Sequence, residues 1–178
     1  MKTTLKIFAL TATLFGFATI SFAQNEATAS ANAGAKVIEV IKLTKNVDLE
    51  FGNIVSGAGT VVIAPEAGVT RTGTEALIAI STADRTPTAA KFTVTGETGW
   101  KYSIAIPTES IDLEHVTDDS ATMTVNAWAL SSTHTAEHNV ISGTATANEF
   151  YVGATLNANA NQKAGVYHGS FDVTVTYE

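Results

Sequence analysis

Residues 165–178, GVYHGSFDVTVTYE, decide the fold class of this chain, because apolar and polar side chains alternate along them. One face carries the apolar side chains of Tyr167, Phe171, Val173, Val175 and Tyr177. The opposite face carries the side chains of His168, Ser170, Asp172, Thr174 and Thr176. Successive side chains of a strand point to opposite faces of its sheet, so the pattern predicts one strand over residues 166–177 with a buried face. This is longer than the usual strand of about five or six residues, and a strand at a sheet edge can offer its backbone to another chain.

The same period of two recurs toward the N-terminus in short segments separated by turn residues. It predicts further strands at residues 37–43, 48–54, 60–63, 76–80, 90–94, 102–106, 121–130, 140–147 and 149–156. No segment has a sustained apolar period of 3.6 residues, although residues 157–163 could form one turn of helix. Short strands spaced by turns are typical of sandwiches and barrels. The sequence therefore predicts an all-β, immunoglobulin-like β-sandwich of about 8–10 short, mainly antiparallel strands.

The first 23 residues have the organisation of a cleavable signal peptide. Two lysines precede an apolar run at residues 7–20, and the small residues Ser21 and Ala23 stand three positions and one position before the predicted cut. The run is shorter than the roughly 20 apolar residues that cross a bilayer, and threonines interrupt it. We therefore expect cleavage between Ala23 and Gln24, and export of the mature chain to the periplasm, the outer surface or the extracellular space.

The chain after the predicted cut is interpreted as a leader followed by one domain. Residues 24–35, QNEATASANAGA, are small, polar and rich in alanine, and we interpret them as a flexible leader without periodicity. Residues 36–178 show no internal repeat and no further linker, so we interpret them as a single β-sandwich domain. Removing 23 residues from 178 leaves 155, which is enough chain for one domain with a sizeable core.

Charge and cysteine content exclude several classes of function. The full chain has 10 basic and 17 acidic residues, and loss of the two signal-peptide lysines leaves 8 against 17, a net charge of −9. An acidic protein is not attracted to nucleic acid or to an anionic membrane surface, so neither is expected as a partner. The chain has no cysteine, which excludes disulfides, thiol catalysis, cysteine-ligated metals and lipid attachment at an N-terminal cysteine. Its stability then has to come from burial and backbone hydrogen bonding.

Histidines and carboxylates raise the question of a metal or catalytic site. His134 and His138 stand four residues apart, a spacing that converges on a metal only in a helix, and Glu137 could be a third ligand. The segment is interpreted as a polar loop instead. His115 and the acidic residues 118–119 lack the ordered oxygens and turn glycine of a cation-binding loop. No Gly-x-Ser-x-Gly elbow occurs, so no catalytic, cofactor-binding or metal-binding residue is predicted, and a hydrolase is kept only as a remote alternative.

The two tryptophans offer another alternative. Trp100 and Trp128 could form a platform on which sugar rings stack if their side chains were exposed. Rings of this size are more often buried, so we expect both in the core. A concave, solvent-exposed setting for either ring would favour a free-standing binding module for a glycan or a small ligand.

The end of the chain resembles that of bacterial chaperone–usher pilins, which close with a glycine fourteen positions from the end, alternating apolar residues and a penultimate tyrosine. Gly165 and Tyr177 occupy those two positions. The resemblance implies that the last strand pairs with a periplasmic assembly chaperone, and that subunits join when one donates an N-terminal strand to the next. Residues 24–45 are the candidate donor. The chain departs from the pilin pattern because it lacks the common disulfide, and because its candidate donor lacks a clear apolar alternation with a central glycine.

Four motifs spread over the mature chain resemble a family of bacterial secreted domains that is catalogued as a domain of unknown function. They are LEFGNI at 49–54, GTVVI at 59–63, YVGATL at 151–156, and G-x-Y-x-G-x-F-x-V-x-V-x-Y at 165–177. Members of that family usually follow a signal peptide. The resemblance therefore implies an exported β-sandwich and assigns no activity.

These observations predict a non-catalytic exported protein, namely a cell-surface or fimbria-like structural or adhesion subunit that associates through its terminal strands. The candidate strand-pairing residues are Gly165, Tyr167, Gly169, Phe171, Val173, Val175 and Tyr177. The expected partners are other copies of the chain or related subunits, together with a periplasmic chaperone. No cofactor and no membrane insertion are expected.

Overall fold

The computed structural model describes residues 26–66, 68–73 and 85–178. Within these residues the chain forms eleven β-strands, one short 3₁₀ helix and no α-helix. The strands are β1 (Lys42–Val47), β2 (Gly59–Ala64), β3 (Gly68–Gly73), β4 (Ala90–Thr95), β5 (Lys101–Ala105), β6 (Ile111–His115), β7 (Asp118–Leu130), β8 (Asn139–Val140), β9 (Glu149–Ala158), β10 (Tyr167–His168) and β11 (Thr174–Tyr177), and the 3₁₀ helix is Ala145–Asn148. The predicted all-β class is confirmed.

The strands form two antiparallel sheets. In the larger sheet the order is β1-β4-β9-β7-β6-β10, with β2 also paired to β9 and β3 paired to β2. The central strand β9 binds β7 along one edge, and it binds β4 and β2 in succession along the other. The smaller sheet has the order β11-β5-β8. Every pairing of named strands among the described residues is antiparallel, which is consistent with a β-sandwich-like fold.

The core consists of two clusters of buried apolar side chains. The first cluster contains Phe51, Val61, Ile63, Met123, Val125, Ala154, Leu156 and Ala158. The second cluster contains Ala90, Phe92, Val94, Tyr102, Ile104, Ile141, Phe150 and Val152. Both draw on the inward-facing positions of β9, whose alternate residues supply part of each cluster. The core therefore runs the length of β9.

The C-terminal segment has the predicted buried face but not the predicted single strand. Phe171, Val173, Val175 and Tyr177 pack against the second cluster, and Tyr167 packs against the first. The backbone, however, forms two separate short strands. β10 pairs with β6 in the larger sheet, and β11 pairs with β5 in the smaller sheet. Residues 169–173 belong to no strand. The prediction of one strand over residues 166–177 is therefore wrong, because the chain changes sheets in the middle of its alternating pattern.

Several other predicted strands are shifted or absent. The strand predicted at 37–43 begins only at Lys42, and residues 51–55 carry no strand although 48–54 were predicted to form one. The segment predicted as a strand at 140–147 contains the two-residue β8 and the start of the 3₁₀ helix. Residues 157–163 end β9 and enter a turn rather than forming a helical turn. Strands β3 and β6 were not predicted.

Other predictions lie outside the described residues. The signal peptide, the cut between Ala23 and Gln24 and the strand predicted at 76–80 all fall there. Among the described residues no helix has the length and hydropathy needed to span a bilayer. The described residues from Val37 to Glu178 belong to one compact unit.

Candidate functional site

A groove of about 760 Å³ opens beside the first core cluster. One wall is formed by residues 48–54, and the other by residues 162–171. Its floor includes half-buried apolar side chains that pack on the first cluster without being covered completely. They are Leu49, Ile54, Ile111, Leu113, Trp128 and Tyr167. The described part of the chain thus leaves one end of the core with an apolar surface that a further segment could cover.

The C-terminal wall also has free backbone groups. No backbone hydrogen bond joins residues 169–173 to any other residue that the structure describes. The strands on either side, β10 and β11, each lie at an end of their sheet. We call the outer backbone edge of residues 167–177 the free edge. Sheet edges of this kind are the usual site at which an extended peptide adds a strand.

Two hydrogen bonds establish which backbone groups point outward along the free edge. The N–H of Glu178 donates to the carbonyl oxygen of Lys101 at 3.2 Å, and the N–H of Val116 donates to that of Val166 at 3.0 Å. Bonded and non-bonded pairs alternate in an antiparallel ladder. The even-numbered residues of β10 and β11 therefore bond β6 and β5, and the odd-numbered ones face outward. If the same alternation continues through residues 169–173, the N–H groups of Phe171 and Val173 point away from β6 and β5.

The start of the C-terminal wall is held by a buried histidine. His115 is 5% exposed, its Nε2 lies 3.2 Å from the carbonyl oxygen of Ala164, and its ring meets Tyr167 edge-on at 5.1 Å. Gly165 crosses directly over this ring with a φ of 152°, and a Cβ there would lie 2.0 Å from His115 Nε2. The Tyr167 hydroxyl donates to the carbonyl oxygen of Lys163 at 2.7 Å and accepts from Gln162 at 2.8 Å. These contacts fix the turn that leads into the wall.

The change of sheets is possible because Gly169 lies close to β6. A Cβ at Gly169 would be 2.6 Å from the Cδ2 atom of Leu113 and 3.1 Å from the carbonyl oxygen of Asp112. A larger residue would push the backbone away from the larger sheet before it reached the smaller one. Gly165 and Gly169 therefore have a structural role in shaping the wall rather than a direct role in binding.

The other end of the free edge is closed by Tyr177. Its hydroxyl donates to the carbonyl oxygen of Glu39 at 2.9 Å and accepts from the N–H of Glu97 at 2.8 Å. Its ring meets Trp100 at 5.7 Å. Beyond it, the carboxylate of Glu178 accepts from the backbone N–H and the Nδ1 atom of His138, which holds the pKa of Glu178 below its ordinary value. The open part of the free edge therefore precedes Tyr177.

Charged side chains at the groove rim are paired with one another. Arg85 contacts Glu50 at 3.0 Å, and Lys45 pairs with Asp48. Lys163 pairs with Asp118, and this hydrogen bond, with two from Ser120, lowers the pKa of Asp118 to about 2. The three cations that line the groove among the described residues thus each have a carboxylate partner. A charged small ligand would have to compete with these pairs.

The histidines considered as metal ligands do not converge. His134 is half-buried beside Phe150, with the ring centroids 5.8 Å apart, and burial lowers its pKa. His138 is engaged by Glu178 instead. No group of three or more histidine, aspartate or glutamate side chains in the described part of the chain is arranged to hold a metal ion. The spacing of four residues does not act as a ligand pair because the segment is not helical.

The two tryptophans occupy different settings. Trp128 is half-buried at the groove, its ring is 4.7 Å from that of Phe171, and its Nε1 donates to the carbonyl oxygen of Glu109 at 2.9 Å. A bulge that gives Ala127 a φ of 50° places the indole there. Trp100 is 38% exposed and packs edge-on against Tyr177. Neither ring is among the fully buried core side chains, which differs from the expectation that both belong to the core.

The structure places the predicted strand-pairing residues along the C-terminal wall of the groove and the free edge that continues from it. Tyr167, Gly169 and Phe171 line the groove, Val173 and Val175 continue the free edge, and Gly165 and Tyr177 stand near its two ends. Sequence reasoning considered His115 only as a metal ligand and did not predict that it supports Gly165, and it expected Trp128 in the core rather than at the groove. A sequence signal for the position of Trp128 is that it stands off the period of two set by Met123 and Val125 in the predicted strand at 121–130.

Comparisons with known proteins assign a family and nothing more. The family model described as Domain of unknown function (DUF4402) matches residues 41–177. Neither a curated protein nor a solved structure matches the chain.

Proposed function

Because this chain belongs to the DUF4402 family, whose description assigns no activity, we propose its function from its own geometry: it is a non-catalytic exported subunit of a cell-surface or fimbria-like assembly. Subunits associate when an extended strand adds to the free edge and covers the groove. The observation that carries this proposal is the run of backbone at residues 169–173 without a bonding partner among the described residues, beside an apolar groove.

Strand addition would satisfy both features of the site. The outward N–H and carbonyl groups of Phe171 and Val173 would gain hydrogen bonds, and alternate side chains of the added strand would point into the groove. The floor under such a strand is apolar, at Ile111, Leu113 and Trp128, so its burial is favourable at roughly 25 cal/mol per Å² of apolar surface removed from water. Backbone pairing supplies affinity, and the groove selects the side chains.

The chemistry of the site supports a binding role over catalysis. Catalytic groups are recognised by perturbed pKa values in a cleft. Here the lowered pKa of Asp118 is explained by Lys163 and Ser120, and the lowered pKa of Glu178 is explained by His138. All three partners lie at the surface. The rim cations are held in ion pairs rather than left for a substrate. A hydrolase therefore stays a remote alternative.

The sequence supports the export and the partners that we propose. The signal peptide at residues 1–23 would deliver the mature chain outside the cytoplasm. A chain with an unfilled edge is prone to unwanted pairing, so we propose that a periplasmic chaperone covers the free edge until another subunit replaces it. The net charge of −9 derived above disfavours nucleic acid and anionic membrane as partners.

The decisive experiment changes one backbone group on the free edge. In the mature chain from Gln24, Val173→Pro removes an outward N–H without removing a bond to any described residue, and Val173→Ala truncates the side chain but keeps the N–H. If one backbone bond to the added strand is lost, the association constant measured by sedimentation velocity falls about five- to tenfold for Val173→Pro relative to Val173→Ala. Circular dichroism checks that both variants fold.

Two outcomes would contradict the proposal. One is an equal association constant for Val173→Pro and Val173→Ala. The other is a mature chain that stays monomeric at every concentration and unfolds at the same temperature after deletion of residues 24–36.

A second candidate function rests on the aromatic residues of the groove. Trp128, Tyr167 and Phe171 line it together, and aromatic rings are common in sites that bind sugars. The proposal of a glycan-binding or small-ligand-binding module is weakened because the indole of Trp128 already packs on Phe171 and its N–H is already bonded. A glycan array with reproducible hits that Trp128→Ala abolishes would favour this candidate over strand addition.

A further inference from the structure

The first basic residue after the predicted signal peptide stands where the leader meets the folded domain. Residues 24–41 contain one lysine, Lys36, and no arginine. The compact unit begins at the next residue, Val37. The bond between Lys36 and Val37 is therefore the point at which a cut after a basic residue would separate the leader from the domain.

The chain around this bond is accessible. Residues 26–37 are exposed and belong to no strand, and Val37 is 92% exposed. Exposed segments of small and polar residues are preferred sites of proteolytic cleavage. The Lys36 side chain takes part in an interaction in the structure. Because that side chain is exposed, exchanging the interaction for the acidic specificity pocket of a protease costs little free energy.

The chain is held by the domain from Glu39 onward. The carbonyl oxygen of Glu39 accepts from the Tyr177 hydroxyl at 2.9 Å, and its N–H donates to the Glu97 carboxylate at 3.3 Å. The Ile41 side chain packs against the second core cluster. A cut before Val37 breaks none of these contacts, so the shortened chain keeps the fold of the domain.

We propose that the bond between Lys36 and Val37 is a processing site for an exported endopeptidase that cleaves after lysine or arginine. The reaction is a hydrolysis in which the bond between the carbonyl carbon of Lys36 and the nitrogen of Val37 breaks. One water molecule supplies a hydroxyl group to that carbon and a hydrogen to that nitrogen. The products are the released peptide 24–36 and a domain that begins at Val37. This inference goes beyond the proposed function and does not depend on which strand adds to the free edge.

The other basic residues of the predicted mature chain lie where a protease cannot bind them without local unfolding. Lys163 lies in the turn whose backbone is bonded by the Tyr167 hydroxyl, and the half-buried side chain of Arg85 pairs with Glu50. A strand that is bonded in a sheet has to open before a protease can bind it as an extended segment. The basic residues that lie in paired strands are Lys42, Lys45, Arg71, Lys91 and Lys101.

Limited digestion with trypsin tests whether the fold leaves this bond as the preferred one. In the mature chain from Gln24, intact-mass spectrometry over a time course identifies the first product. We expect the cut after Lys36 to be at least about 100-fold faster than a cut after any other basic residue, because the others require local opening. Lys36→Gln removes this product. The matched control Lys42→Gln, which changes the next lysine in the chain, leaves its rate within about twofold.

A first cut after any other basic residue would overturn the inference, because the structure would then not protect those bonds. Persistence of the same product in Lys36→Gln would also overturn it. Circular dichroism of both glutamine variants before digestion checks that the substitutions leave the fold intact.

Cleavage by the natural protease is tested on the chain that is exported by the cells that encode it. The unsubstituted chain, Lys36→Arg and Lys36→Gln are each expressed with residues 1–23, and the first residue of the exported protein is determined by mass spectrometry. We expect the unsubstituted chain and Lys36→Arg to begin at Val37, because arginine fits the same acidic pocket. Lys36→Gln should retain the leader.

Two results of this second experiment would show that the inference is wrong. In one, all three exported proteins retain the leader. In the other, Lys36→Gln loses the leader as completely as the unsubstituted chain, so that the cut does not depend on a basic side chain. Neither result changes the comparison of Val173→Pro with Val173→Ala, so failure of this inference is distinguishable from failure of the proposed function.

Discussion

Tyr102 and Tyr177 face each other across the ladder between β5 and β11, yet their hydroxyl groups have opposite environments. The Tyr177 hydroxyl has two partners, Glu39 and Glu97. The Tyr102 side chain is fully buried, and its hydroxyl has no partner among the described residues. Burial also raises the pKa of Tyr102. Tyr177 therefore links separate segments of the chain by hydrogen bonds, whereas Tyr102 places an unsatisfied polar atom in the core.

This contrast predicts that the same substitution has opposite effects at the two positions. Tyr177→Phe removes both hydrogen bonds and leaves the Glu97 N–H unsatisfied, so the free energy of unfolding falls by about 1–2 kcal/mol. Tyr102→Phe removes only an unbonded hydroxyl, so it leaves stability unchanged or raises it by about 1 kcal/mol. Urea unfolding of the two variants measures both values. A larger loss for Tyr102→Phe than for Tyr177→Phe would show that this description is wrong.

Because Gly165 lies directly against the His115 ring, we expect substitutions at these two residues to have coupled effects on stability. Gly165→Ala places a methyl group on the imidazole at a backbone conformation that side chains rarely adopt, and it destabilises the protein by about 2–4 kcal/mol. Gly143→Ala is the control, since its nearest atom is Thr98 Cγ2 at 4.0 Å.

A double-mutant cycle separates the steric part of that loss from the backbone part. In the presence of His115→Ala the cost of Gly165→Ala falls by about 1 kcal/mol or more, because the clashing ring is gone and only backbone strain is left. Thermal or urea unfolding of the four proteins gives the coupling. If the losses of stability from the two substitutions were strictly additive, the methyl group of Gly165→Ala would not contact His115, and the prediction would be wrong.

The ion pair of Asp118 predicts a pH dependence with a definite sign. Its pKa is lowered from 3.8 to about 2 in the folded protein. The contribution of this carboxylate is therefore complete above about pH 4 and is lost as the pH falls toward 2. Asp118→Asn removes that dependence, so stability measured by urea unfolding falls less between pH 5 and pH 2 than in the unsubstituted chain.

The neighbouring substitution Asp119→Asn is the matched control for this prediction, because no ion pair joins Asp119 to a described residue. Its profile should follow that of the unsubstituted chain. Because Asp118 is at the surface, the difference should also shrink in high salt. A profile for Asp118→Asn that does not differ from the Asp119→Asn profile would contradict the assignment.

The arrangement of His134 and His138 predicts no stabilisation by zinc. A ligand that binds only the folded state stabilises it by RT ln(1 + [L]/Kd) and so raises the unfolding temperature. With His138 engaged by Glu178 and His134 packed beside Phe150, added Zn²⁺ should shift the midpoint by less than about 1 °C. Calorimetry with and without a chelator measures the shift. A rise that His134→Ala removes would reveal a site that the geometry does not form.

The sequence predicts the faces of strands better than their partners. The alternation from Tyr167 to Tyr177 correctly identifies the side chains that pack on the core. It contains no information on where the backbone leaves β6 for β5, because that change depends on the distance between the sheets and on the close approach of Gly169 to Leu113. The alternation of apolar and polar side chains is a property of the local sequence, whereas strand pairing depends on residues that are distant in the chain.

The sequence predicts the candidate site only in part, for the same reason. The residues of the C-terminal wall were predicted from their pattern, but the groove also needs the opposite wall at residues 48–54 and the displaced indole of Trp128. Both depend on tertiary packing: the alternation at residue 49 and residue 51 resembles a strand, yet Glu50 makes only an isolated bridge to Thr88. Residues 27–35 also alternate with a period of two, but the apolar positions are alanines, whose small apolar surface gives weak contrast with serine and threonine.

The free edge and the strand that would add to it are different surfaces. An interface between unlike surfaces is heterologous, so copies joined by strand addition would form a head-to-tail series rather than a closed twofold pair. Such a polymer would be directional, with a bare free edge at one terminus, and a copy without a strand to donate would end growth at the other.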